Sequence, residues 1–170
     1  MTGYLHTERL RTFADSVLLV AITILAYNLL PPSVVNGQLN EEEVQDFINN
    51  LYSLISSFVV IFILWLLYMR ILDYLKRPNE VIMIISLTFF ILVLLTPVFT
   101  LGTLQYNSWR LLAFLALLQI VNGILLMALW TYILKSKLLV QEFKYEYNRN
   151  MYSSLAVIPS LFFLKIFANS

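Results

Sequence analysis

The chain has no cysteine, one histidine and four glycines, and only 12% of its 170 residues are charged. Without cysteine there is no disulfide, no thiolate metal site and no sign of the redox compartment. The one histidine, His6, precedes the first apolar run in a segment expected to be mobile, so the apolar segments hold no histidine base or histidine metal site. Gly3, Gly37, Gly102 and Gly123 are scattered and form neither a phosphate-binding loop nor a nucleophile elbow. A formal charge of +1, with no basic stripe interleaved with aromatics, argues against a nucleic-acid partner. The expectation is a protein that is not an enzyme and carries no cofactor and no resident metal.

Hydrophobic residues, by contrast, make up 60% of the chain. A soluble domain of this size needs far more polar surface than that leaves. The apolar residues fall into long runs, and a helix needs about 20 such residues to cross a hydrocarbon core. Five spans are expected, at about 13–32, 51–75, 81–101, 111–134 and 151–168. The second is expected to begin earlier as an amphipathic helix through Glu43, Val44, Phe47 and Ile48. Pro31-Pro32, Arg77-Pro78-Asn79 and Gly102 act as breakers between spans. The first run lacks a small-residue cleavage site and reads as a spanning helix, not a removable signal peptide. The fold class is an all-α polytopic membrane bundle, with residues 1–170 as a single transmembrane domain.

Loop charge sets the expected orientation. Arg9, Arg11, Arg70, Lys76, Arg77, Lys135, Lys137, Lys144 and Arg149 fall on one side, nine of the 11 basic residues. The positive-inside rule makes that side cytoplasmic. The N-terminus is then inside and, after five spans, the C-terminus outside. Glu41, Glu42, Glu43 and Asp46 face outward, either as a solvated helix start or as a cation-attracting pore mouth.

Few residues within the runs carry chemistry. Ser56-Ser57 reads as a polar helix contact before it reads as a nucleophile pair, and Gln119 and Asn122 as bonds between helices before contacts to a solute. The first run differs, because Asp15 lies inside it. A carboxylate deep in a membrane helix costs about 2.5–3.5 kcal/mol and so usually faces protein, water or a partner. The bland alternative is an N-terminal cap in the first helical turn. At roughly 100° per residue, Val20, Thr23, Ile24 and Tyr27 share one stripe and Asp15 points elsewhere. Around a shared axis such a stripe would form a narrow hydrophobic constriction that gates by dewetting. A lipid-facing stripe has the same periodicity, and so does the alternative stripe Leu18, Ile22, Leu25 and Leu29.

The pattern Arg9-Leu10-x-x-Phe13-Ala14-Asp15-Ser16-Val17, continuing to Ala21-Ile22-Thr23-Ile24-Leu25, resembles the first-helix signature of the transmembrane protein 175 potassium channels. Trp65-Leu66-Leu67-Tyr68-Met69-Arg70, Thr96-Pro97-Val98-Phe99-Thr100 and Leu129-Trp130-x-Tyr132 resemble the ends of that family's second, third and fourth helices. The resemblance covers about Arg9 to Leu139. It implies a potassium-permeable channel of prokaryotic type in the cell membrane, a homotetramer with the first helix of each subunit around a central pore. Val20, Ile24 and Tyr27 would form hydrophobic rings and Thr23 a hydroxyl layer. Arg9, Phe13 and Asp15 would hold the first helix against its neighbours, with Trp65 as one contact. Ala14 stands where the family usually has Ser or Gly, Tyr68 and Met69 where it often has histidines, and Tyr27 where it has a smaller aliphatic residue. Most members have six spans per repeat, against five expected here. The rival readings are a non-conducting membrane scaffold and a small-solute carrier; the missing charge in later spans weakens the carrier.

Overall fold

The computed structural model describes residues 2–27, 29, 31–35, 38–106, 108–136 and 138. Four long helices account for most of them: α1 (Thr2–Tyr27), α2 (Glu41–Asp73), α3 (Glu80–Tyr106) and α4 (Trp109–Lys135). Each is long and apolar enough to cross a membrane, with spans at Thr7–Tyr27, Glu41–Asp73, Glu80–Thr103 and Trp109–Lys135. Apolar runs of this length become helices because only a helix satisfies every backbone group within its own segment in lipid. Between α1 and α2 lies a two-residue antiparallel ladder of β1 (Val34–Val35) and β2 (Gln38–Leu39), with Val34 opposite Leu39. The expected count of about five is thus four among the described residues, and the span expected at 151–168 lies outside them.

Local chemistry sets most of the helix ends. α1 stops at Tyr27, ahead of the Pro31-Pro32 pair, whose rings and missing N–H groups cannot continue a helix. Asn40 caps α2: its side-chain oxygen accepts the Glu42 amide at 3.1 Å, with Glu41, Glu42 and Glu43 in the favourable first turn. Glu43 reaches back to accept both the Ser33 amide and the Ser33 hydroxyl at 2.6 Å. The acidic cluster is therefore a helix start. Asn79 performs the same service for α3, its side-chain oxygen accepting the Ile82 amide at 3.0 Å.

Three expected boundaries shift. α1 begins at Thr2, so His6 belongs to the helix and Asp15 lies in mid-helix rather than in its first turn. The cap reading of Asp15 fails for that reason. The expected first span at 13–32 ends too late by about a turn. Gly102 does not end α3, which runs on to Tyr106; a Cβ at Gly102 would meet Leu111 at 3.4 Å, so the position lies against α4. Pro97 lies inside α3 without ending it.

α2 and α3 form the centre of the bundle, each packing against all three of the other helices. Tyr68 of α2 is fully buried, stacked on Phe89 at 5.3 Å and edge-on to Phe90 at 5.0 Å. Its hydroxyl donates to Ser86 at 3.0 Å, which satisfies a polar tip in the apolar core. A second polar seam joins α2, α3 and α4. Ser57 donates to Thr100 at 3.2 Å, and Gln119 donates to Thr96 at 3.0 Å. Ser57 and Gln119 are thus helix contacts. Asn122, also fully buried, differs from expectation, since neither of its side-chain polar atoms has a partner among the described residues.

The connections bring the basic ends together. Arg11 of α1 meets Asp73 of α2, the Lys76 amide donates to the Leu138 carbonyl at 2.9 Å, and Asn79 donates to the Tyr132 hydroxyl at 2.7 Å. The start of α1, the end of α2, the start of α3 and the end of α4 form one face of the bundle.

Candidate pore helix and its anchor

α1 is held on one side only. Ala14, Val17, Ala21 and Leu25 follow one another at helical spacing, and all are buried against α2 and α3. Small residues at two of these four positions let the backbones approach closely, as in other membrane helix contacts. The opposite side has no such cover among the described residues. Val20 is 49% exposed and Tyr27 84% exposed, with Thr23 exposed between them and Ile24 half-buried at the edge. The Thr23 hydroxyl donates to the Leu19 carbonyl at 2.8 Å, one turn back. On the alternative stripe Leu25 is buried, while Leu18, Ile22 and Leu29 are half-buried.

The anchor residues separate into those brought together and one that is not. Trp65 of α2 donates its indole N–H to Asp15 at 3.0 Å. The carboxylate thus has a strong donor although it is exposed on the subunit surface. Phe13 sets its edge against Phe90 of α3, with ring centroids 5.3 Å apart. Stacked Phe58, Phe62 and Trp65 along α2 orient the indole toward α1. Arg9, which the resemblance groups with Asp15 in the anchor and which is its opposite charge, does not pair with it and is exposed.

The sequence reading missed the ion pair that does form. Arg11 meets Asp73 at 2.6 Å, tying α1 to the last turn of α2. Its signal was present: Asp73 is the single acid among Arg70, Lys76 and Arg77, and antiparallel neighbours bring those ends together. The Tyr68–Ser86 bond was also missed, because nothing in the spacing distinguishes Ser86 from other small residues of α3. Among the described residues no group of acids or histidines is arranged to hold a metal ion.

Comparison with known proteins bears on the fold and the family. No curated protein matches the chain. The structure resembles the crystal structure of a lysosomal potassium-selective channel TMEM175 homolog from Chamaesiphon minutus, with a TM-score of 0.66 over 93% of this chain and 83% of that one. Identity between the two is 17%, so the likeness is one of fold. Residues 9–97, which include the anchor motif and the whole exposed stripe of α1, match the family model described as endosomal/lysosomal potassium channel TMEM175. That match spans more than half of the 170 residues, and with four membrane-spanning helices behind it the chain is an integral membrane protein of the TMEM175 potassium channel family.

Proposed function

We propose that the chain conducts potassium passively through a pore built by four copies, with α1 of each subunit facing the axis and residues 1–170 acting as one channel domain. The observation that carries this reading is the one-sided packing of α1. Its Ala14–Leu25 side is consumed by the subunit's own core, and the Val20–Thr23–Tyr27 side is left uncovered by the described residues. Exposed apolar side chains converging on an axis would form hydrophobic rings, and a ring narrow enough to dewet opposes a hydrated cation. Val20, Ile24 and Tyr27 supply the rings and Thr23 a layer of hydroxyl oxygens. Asp15 and Trp65, with Phe13 on Phe90, fix the rotation of α1 so that this face is presented. Arg9 acts at the basic end rather than on Asp15. That end faces the cytoplasm in this reading, the side its basic residues favour, and the cell is prokaryotic as the family resemblance implies. Passive conduction calls for no cofactor, nucleotide or covalent intermediate.

Flux from potassium-loaded liposomes holding purified protein tests the reading. Uncoupled potassium flux that Val20→Asn increases, by wetting the ring, is the expected result. Flux strictly coupled to a second gradient would make the protein a carrier, and no flux from any variant would make it a scaffold.

A further inference from the structure

The α4 turn from Gln119 to Asn122 carries three buried polar atoms to which the described residues give no hydrogen bond. Gln119 is 1% exposed and Asn122 0%, both inside the apolar span Trp109–Lys135. Three residues apart, they are neighbours on one side of the helix. Gln119 spends its amide nitrogen on Thr96 of α3, which leaves its Oε1 without a donor. Thr96 cannot supply one, because its hydroxyl proton goes to the Leu92 carbonyl at 3.3 Å. Asn122 has neither a donor for its Oδ1 nor an acceptor for its Nδ2. Turning either amide end for end exchanges oxygen and nitrogen and still leaves three atoms open.

Buried polar groups in folded proteins are paired, by protein or by ordered water. Whatever completes this set must both donate and accept, since oxygen and N–H are open together in either orientation of the amides. A potassium or sodium ion would answer the oxygens alone, and an anion the nitrogen alone. Water answers both. Room for it lies beside the pair: Gly123 follows Asn122 and stands one turn after Gln119, and a Cβ built there would meet nothing within 4 Å. We propose that this turn of α4 binds internal water, which donates to Gln119 Oε1 and Asn122 Oδ1 and accepts from Asn122 Nδ2. A buried water typically makes about three such bonds. The site extends the polar seam of Ser57 with Thr100 and Thr96 with Gln119 by one further turn of α4. It does not depend on conduction, since it lies in the core of the subunit and not on the exposed face of α1.

The test is a crystal structure of the intact assembly in a lipid mesophase, at a resolution that shows other buried waters, together with thermal melting of variants. The expected result is density within hydrogen-bonding distance of Gln119 Oε1 and the Asn122 amide, with no anomalous signal after thallium replaces potassium. Asn122→Leu should remove that density and lower the melting temperature by roughly 2–4 °C, about one net hydrogen bond in a chain of this length. A dry pair predicts the opposite sign, because leucine would then replace amide atoms that had no partner. Asn122→Ser, which keeps a group able to donate and accept, should retain the density and lose less. No density at the site in the unmodified protein would overturn the proposal, as would a thallium signal there or amide atoms bonded to side chains beyond Leu138. An Asn122→Leu protein that melts higher than the unmodified one would overturn it too.

Discussion

Asp15 shows how a single side chain is paired when it lies within an apolar helix. Its carboxylate accepts the Trp65 indole, and removing it leaves that N–H without an acceptor. Asp15→Ala should cost about 1–3 kcal/mol of stability, the range for a partner left unsatisfied, and Asp15→Asn less, because the amide oxygen still accepts. Thermal melting in detergent reads both, and adding Trp65→Phe to Asp15→Ala should cost little more, since the two act on one bond. Arg11→Ala is expected to be milder. Its pair with Asp73 is partly solvated, with side chains 34% and 60% exposed, so the loss should stay below about 1 kcal/mol and shrink as salt is raised. The partner of Asp15 was legible only through the family resemblance, which put Trp65 beside the first-helix motif. Charge alone favoured Arg9, although it lies six residues away, too far for a neighbouring-turn contact within one helix; charge is visible in a sequence and the rotation of one helix against another is not.

Among the helices, α1 has two faces with opposite consequences. Leu25 is 3% exposed in the subunit core, and Leu25→Ala should cost about 2–5 kcal/mol in melting while leaving ion preference unchanged. Thr23→Ala should do the reverse, lowering potassium preference over sodium in bilayer recordings more than it lowers total current. Mutations at Leu18, Ile22 or Leu29 that changed conduction while Val20 and Tyr27 did not would refute the assignment of the face. Helix existence was legible from apolar run length, and the third and fourth spans, Glu80–Thr103 and Trp109–Lys135, lie within two residues of the expected 81–101 and 111–134. Boundaries were less so. Thr2 to Phe13 carries Glu8, Arg9 and Arg11, which lower its hydropathy without breaking the backbone, so the helix continues where the apolar count stops. Gly102 and Pro97 are likewise breakers in isolation, but packing of α4 against α3 holds the helix through both.

At the scale of the whole molecule, the four described spans bring the end of α4 back to the face where α1 begins. A reporter inserted after Lys135 should therefore label from the same side of the membrane as one before Met1, and that side should be the cytoplasm; labelling from opposite sides would contradict an even number of spans up to that point. A reporter after Ser170 should label from outside if the expected span at 151–168 crosses. The Thr23 hydroxyl adds a consequence that concerns the sign of charge rather than width or affinity. Its proton is turned inward, committed to the Leu19 carbonyl, so the oxygen's remaining lone pairs are all it can present outward. Four such oxygens around an axis would form a ring of negative dipole ends with no free proton to offer, a valve that admits positive ions and repels chloride although the wall bears no formal charge. Thr23→Val keeps the shape and removes the oxygen. The reversal potential under a potassium chloride gradient should then move toward zero, and an unchanged value would show that the discrimination of charge resides elsewhere.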